Sequence, residues 1–542
     1  MRRMRLCAYG APLAAQCAML VMLLAQRQWL FAMMIASGCV ASLASLVLMT
    51  AARHEGDAPP MPHGIAPPVT AACHAGDAAA PIMPATLASV LGFADDAAPF
   101  RSIAHRWCVA DAGCSAPVGV DASGRAAVID LARFGPHAIV AGTTGAGKSV
   151  LLQDWCLALA CRYPPRRVQF ALLDFKGGSA MDALAGLPHV RGCVNDLDLA
   201  YAKRALLALE RELTRRERLA ARLGVADLMD APDPPARLVV VVDEFHMLTG
   251  QLPDVADRLT RIASLGRSLG MHLIVCTQNP LGEIGAPMKA NMALRICLRV
   301  RDAMQSQEML GVDDAARLRV TEPGAAIARI DDGRVRLRCA ADPDPARLVA
   351  EIGLAARVHA QRDAPPLFTS PLPRLVHARD VGAPPGAIVI GLEDDGVATA
   401  PCLFDPADGN LAVIGRPGRG RTTLLETIGG GARACGADVV CLDDADVWFD
   451  PLSADPRAVR VQELVCAGRR CVVFALGSSR RLRVPDHCGR RLVFPVGERA
   501  VDLADGIPAA IVDALTAEDL RTPGRGVLIE AGRARIVQCA VR

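Results

Sequence analysis

Lysine is nearly missing from this chain. Of its 60 basic residues only Lys148, Lys176, Lys203 and Lys289 are lysine. Two of the four fall in glycine-bearing loops, where a compact point charge is what the chemistry needs. Net charge is small as well. The 60 bases face 57 acids, a balance of +3, so composition alone gives no basic footprint that would argue for nucleic acid. The 19 cysteines contain no C-x-x-C pair. Zinc ligands usually come at such tight spacing, which excludes a zinc site, and an odd, unpatterned set fits reduced thiols in the cytosol.

Charge is missing altogether from two N-terminal runs, 20 residues from Leu6 to Ala25 and 23 from Gln28 to Thr50. About twenty apolar residues cross a bilayer as a helix. The short gap between the runs, centred on Arg27, makes them a predicted transmembrane hairpin. Arg2, Arg3 and Arg5 precede it, and Arg53 and His54 follow it. The positive-inside rule then puts both termini in the cytoplasm. The expectation is a multi-pass protein of the cell membrane, with a cytoplasmic N-terminus over 1–5 and the hairpin over 6–50. Residues 51–95 are rich in alanine and proline and carry no persistent apolar period. They read as a semi-rigid linker, with room for a short helix around Ala85–Leu91.

The globular part is expected from residue 96. It is organised around Gly142-Thr143-Thr144-Gly145-Ala146-Gly147-Lys148-Ser149, a fit to G-x-x-x-x-G-K-[ST]. His137–Val140 before it reads as a buried strand, and Val150–Ala160 after it as a helix. Strand, glycine loop, helix is the setting a phosphate-binding loop requires. The glycines let consecutive N–H groups point at a phosphate, and the helix N-terminus adds its dipole. Lys148 suits the β- and γ-phosphates, and the Ser149 hydroxyl suits Mg²⁺. The expected ATP-binding residues are therefore Gly142, Thr143, Thr144, Gly145, Ala146, Gly147, Lys148, Ser149 and Val150.

Three further apolar runs read as buried strands: Arg167–Asp174, Leu238–Glu244 and Met271–Gln278. Helices are expected over Lys203–Leu223 and Asp254–Leu269. On the first, Leu206, Leu209, Leu213 and Leu219 form one face, with Arg211, Arg215, Glu217 and Arg218 on another. Glutamates beside those arginines, as in Glu210-Arg211-Glu212 and Arg216-Glu217-Arg218, are expected to neutralise them locally. The alternation implies an α/β fold with a doubly wound parallel sheet, whose ligands gather at the carboxyl ends of the strands. Asp243 suits the Mg²⁺ partner and Glu244 the base that orients the attacking water. Thr277 and Gln278 are placed to sense the γ-phosphate.

These stretches, with Asp174-Phe175-Lys176-Gly177-Gly178 and Leu265-Gly266-Arg267-Ser268-Leu269-Gly270-Met271-His272, resemble the FtsK/SpoIIIE motor ATPases over residues 100–335. Asp-Phe-Lys-Gly-Gly is most similar to the EccC/EssC branch, where DNA translocases of the family typically carry Asp-Pro-Lys. The resemblance implies RecA-like modules assembling head to tail as a homo-oligomeric ring. It also implies an arginine reaching into the neighbour's site, with Arg204 the first candidate and Arg295 and Arg267 the alternatives.

A second proline-marked linker over 361–384 separates the ATPase domain, 96–360, from a second module over 385–542. Leu411–Ile414 and Gly415-Arg416-Pro417-Gly418-Arg419-Gly420-Arg421-Thr422 repeat strand and loop, with arginine where the loop demands lysine. Val439–Asp444 follows so closely that it fits the Asp174 strand better than the Asp243 strand, and Cys471–Leu476 resembles the Thr277 strand. No base–magnesium pair is expected between them, so this module reads as degenerate. The branch it resembles drives type VII protein export. The expected function is thus a membrane-anchored ATPase motor whose partners are secretion-machine membrane proteins and a small helical secreted substrate. A DNA translocase and an ATP-gated scaffold are the weaker alternatives.

Overall fold

The computed structural model describes residues 81–542 except 95, 176–178, 195–198, 253, 331–332, 362, 451–454, 469 and 485. The expected transmembrane hairpin and most of the first linker lie outside the described residues. Among the described residues no helix is long and apolar enough to cross a membrane. Packing begins slightly ahead of residue 96. Thr86 caps a short helix, Leu87–Val90, and Leu87, Leu91 and Phe93 are buried. The capping hydroxyl and three apolar side chains pull this end of the proline-rich stretch into the core.

The first sheet has ten strands: β1 (Ser115–Asp121), β2 (Ala126–Asp130), β3 (His137–Ala141), β4 (Val168–Asp174), β5 (Val190–Val194), β6 (Arg237–Asp243), β7 (Met271–Thr277), β8 (Leu294–Leu298), β9 (Ala325–Ile330) and β10 (Gly333–Cys339). Their order is β2-β1-β10-β9-β8-β3-β7-β6-β4-β5. The six strands from β8 to β5 are parallel. The other four form an antiparallel wing. The β-branched run Val239–Val242 is fully buried because β6 is covered on both faces, as a central parallel strand must be.

One face carries the helices Pro99–Cys108, Lys148–Arg162 and Pro345–Val358, with Trp107, Trp155 and Ile352 in the core. The other carries Leu199–Leu223 and Val255–Leu265. Leu206, Leu209 and Leu213 are buried there as their spacing predicts, and Gly224 at φ 68° ends the helix.

The second sheet holds β11 (Ile388–Asp394), β12 (Thr399–Phe404), β13 (Leu411–Ile414), β14 (Val439–Leu442), β15 (Cys471–Leu476), β16 (Arg490–Val493), β17 (Arg525–Glu530) and β18 (Arg533–Cys539). Their order is β12-β11-β18-β17-β16-β13-β15-β14. Strand for strand this repeats β2-β1-β10-β9-β8-β3-β7-β6 and stops there. Among the described residues the counterparts of β4 and β5 are missing, along with the long helix that follows them. Accordingly, Gly147 to Gly324 spans 177 positions, whereas Gly420 to Gly524 spans 104.

The stretch joining the sheets is pinned rather than free. The Ala364 and Leu367 N–H groups donate to the Pro188 and Arg191 carbonyls at 2.9 and 2.6 Å. Phe368 sits against Gly192, where an added Cβ would lie 2.5 Å from the ring.

Candidate ATP site

The phosphate loop leaves β3 at its carboxyl end, beside β7 and β8. Its shape is set by backbone. Gly145 and Gly147 take φ values of 77° and 103°, which side chains resist. The Gly142 N–H donates to Thr277 O at 3.3 Å and the Thr143 N–H to Arg299 O at 2.8 Å. The wing grips the loop from the far side, through the Gly324 N–H on Ala146 O at 2.8 Å. An added Cβ on Gly147 would lie 3.1 Å from that Gly324 nitrogen.

Lys148 opens the Lys148–Arg162 helix. Its ammonium donates to Gly142 O at 2.7 Å and Thr143 O at 3.2 Å, so it is held under the loop. Val150, next along the helix after Ser149, is exposed. Ser149 Oγ donates to Asp243 Oδ2 at 2.9 Å. This brings together the two oxygen donors expected to hold Mg²⁺, and hard oxygen donors are what that ion takes.

Glu244 follows β6 in the left-handed region at φ 53°, a conformation that non-glycine residues adopt at a cost. Its N–H donates to Asp243 Oδ1 at 3.0 Å, and its carboxylate accepts from Gln278 Nε2. Gln278 Oε1 in turn accepts from Thr144 Oγ1 at 2.8 Å. A polar chain thus runs from the phosphate loop through Gln278 to Glu244. β7 makes it possible by lying between β3 and β6. Thr277 does not join it; its hydroxyl donates to Asn279 O and to Glu283, away from the loop. Asp174 ends β4 in register with Asp243, and Lys176 with the two glycines after it lies outside the described residues.

Arg204 is not near this site. It is buried on the Leu199–Leu223 helix, where Nη1 donates to Asp394 Oδ2 at 2.7 Å and Nη2 to Thr369 Oγ1 at 3.4 Å. Within the chain it ties the first sheet's helix to the β11–β12 turn. Neighbouring Arg211 makes a second, exposed contact with Asp395 at 3.0 Å. Of the alternatives, Arg295 donates to Glu308 O at 3.1 Å and Arg267 is exposed. Sequence reasoning missed the carbonyl of Arg299 and the N–H of Gly324, backbone groups that leave no mark in side-chain chemistry.

In the second sheet β14 takes the place of β6, not of β4 as its position in the chain suggested. It pairs with β15 just as β6 pairs with β7. Thr422 Oγ1 donates to Asp443 Oδ2 at 2.6 Å, repeating the Ser149–Asp243 contact, and Asp444 repeats the left-handed φ of Glu244 at 46°. A base–magnesium pair therefore exists in position, contrary to expectation, but its surroundings differ. Asp444 is bound by Arg421 Nη2 at 3.0 Å. Leu476 and Gly477 stand where Thr277 and Gln278 stand, so the orienting amide is absent.

The FtsK/SpoIIIE family model matches residues 104–237. The ESX secretion system protein EccC of Geobacillus thermodenitrificans is 29% identical over 388 residues, 60% of this chain and 26% of that protein. The type VII secretion system protein EssC of Staphylococcus aureus is 36% identical over 210 residues, 37% of this chain and 14% of that one. The chain thus spans about a quarter or less of the length of these curated relatives. Among solved structures, the cytoplasmic domain of the Thermomonospora curvata type VII secretion ATPase EccC shares the fold with a TM-score of 0.65. The match has 23% identity and covers 85% of this chain and 67% of that one. ATPases 2 and 3 of Geobacillus thermodenitrificans EssC share it with a TM-score of 0.60 and 17% identity, covering 80% and 97%. Residues 104–237 thus match the FtsK/SpoIIIE family model, in a P-loop domain similar to those of the EccC/EssC ATPases, beside a second domain built on the same plan.

Proposed function

We propose that the chain is a membrane-anchored, ATP-hydrolysing motor that drives protein export in a type VII-like secretion system. The observation that carries this reading is the asymmetry between the two loop sites. The first has lysine, a Ser149–Asp243 oxygen pair and a glutamate held by Gln278. The second has Arg421 bound to Asp444 and no amide. One unit hydrolyses and its sibling does not.

In the first site the loop from Gly142 to Val150 binds the phosphates through the N–H groups its own backbone bonds leave open, chiefly those of Gly147–Val150 at the helix N-terminus, and through the Lys148 ammonium. Ser149 and Asp243 hold Mg²⁺, which when bound neutralises charge on the β- and γ-oxygens. Glu244 accepts a proton from the attacking water, and Gln278 fixes the carboxylate that does so. The link through Thr144 makes that alignment depend on the shape of the phosphate loop. Head-to-tail assembly into a ring, contact with secretion-machine membrane proteins and delivery of a small helical substrate belong to the same proposal. The resemblance to EccC/EssC supports them, as do the two N-terminal apolar runs.

The test is ATP turnover by the detergent-solubilised full chain, alone, with a small helical secreted protein, and with duplex DNA. Stimulation by the protein substrate supports export. Several-fold stimulation by DNA alone would assign the motor to DNA instead, and turnover too slow to respond to either would make it a nucleotide-gated scaffold.

A further inference from the structure

The glutamates of the Leu199–Leu223 helix neutralise only some of its arginines. Glu212 is buried and holds Arg216 at 2.8 Å, Arg215 at 2.7 Å and Arg191 at 3.5 Å. Arg211, Arg215, Arg218 and Arg222 remain on the outside, at spacings i, i+4, i+7 and i+11. That pattern is one helical face, about 16 Å long at 1.5 Å per residue. With Arg261 from the adjoining helix they line an open groove of about 670 Å³. Acids neutralise part of this set: Asp395 pairs with Arg211 at 3.0 Å, Glu212 with Arg215 at 2.7 Å and Glu217 with Arg261 at 3.6 Å, while Glu210 is held by Arg258 at 3.3 Å. Among the described residues no carboxylate pairs with Arg218 or Arg222, and Arg222 is exposed.

We propose that this arginine groove docks on the phosphate groups of anionic lipids at the membrane surface. Guanidinium forks match phosphate oxygens two at a time. No aromatic side chain lines the groove, so it lacks the stacking platform that single-stranded nucleic acid uses. The chain's net charge of +3 supplies no wider track for a duplex. The inference rests on the membrane-anchored reading of residues 6–50. The 30 residues from 51 to 80 can span up to about 90 Å when proline-extended. That exceeds the width of a ten-stranded sheet, about 45 Å, so the groove can lie on the bilayer. Each unpaired arginine brought to an anionic surface strengthens the binding constant about fivefold.

The experiment uses the full chain in nanodiscs of phosphatidylcholine alone, or with one third phosphatidylglycerol, at physiological salt. Arginine reactivity with phenylglyoxal is read residue by residue by mass spectrometry. Arg218 and Arg222 should lose reactivity several-fold in the anionic discs only, while the exposed Arg317 and Arg319 serve as references and stay unchanged. In the Arg218→Glu/Arg222→Glu protein the protection of Arg215 and Arg261 should vanish. Equal reactivity in both discs overturns the proposal. So does protection in phosphatidylcholine discs by free inorganic phosphate, which would mark a small-anion site, or by duplex DNA. A chain that fails to enter discs at all would instead refute the membrane anchor.

Discussion

Lys148, Glu244 and Gln278 act through different physics, and substitutions separate them. Lys148→Ala should abolish hydrolysis, because the phosphates lose their buried cation, whereas Arg421→Ala should change turnover little; loss of most turnover in the second variant would show that the sibling site hydrolyses. Glu244→Gln keeps the shape but accepts no proton, so turnover should fall about 10²–10⁴-fold with ATP affinity near the parent's. Weak ATP binding in that protein would make Glu244 structural. These residues are legible in the sequence because a glycine loop ending in Lys-Ser and a β-branched run ending in two acids seldom occur together outside a nucleotide site. The Thr144–Gln278–Glu244 chain is not, since it depends on β7 lying between β3 and β6, which is sheet order rather than sequence order. The Arg204–Asp394 contact is hidden for a related reason: a helix full of arginines does not reveal which of them faces a carboxylate 190 residues away.

Helices and turns carry two further predictions. Arg204 and Asp394 are largely buried, so Asp394→Ala leaves a buried guanidinium unpaired at a cost of about 3–5 kcal/mol. The exposed Arg211–Asp395 pair should be worth less than about 1 kcal/mol. Thermal unfolding should therefore show a large loss for Asp394→Ala and almost none for Asp395→Ala; equal effects would mean that the tie does not hold the two sheets' elements together. On the Lys148–Arg162 helix, burial pushes Asp154 up to about 7, partly countered by the Asp342 N–H and reinforced by the Asp342 charge. A raised carboxyl favours the folded state below its unfolded pKa and disfavours it increasingly as pH climbs from about 4 to 7. Asp154→Asn should thus raise the melting temperature by several degrees at pH 8 and leave it nearly unchanged at pH 4. A gain of the same size at both values would assign the effect to packing. The shortened sibling shows where linear reading fails. β14 follows its loop helix directly and so resembles β4 in chain position, but pairing with β15 puts it where β6 belongs.

For the molecule as a whole, balanced charge predicts weak DNA binding. Fluorescence anisotropy at low and physiological salt should find only loose association and no activation of ATP turnover. Tight, steeply salt-dependent binding would move the chain to the DNA translocases. The two sheets together also have a mechanical consequence. In each, a glycine at the head of the β-hairpin wing clasps the loop opposite: the Gly324 N–H on Ala146 O, and the Gly524 N–H on Arg419 O. A hydrogen bond of that kind couples a shift of the loop to its wing, so each wing is placed to serve as the output arm of its loop. In the first unit that arm has an engine behind it. If the second unit does not hydrolyse, as proposed, the same linkage there runs in reverse as a follower, whose loop moves only when something pushes the arm.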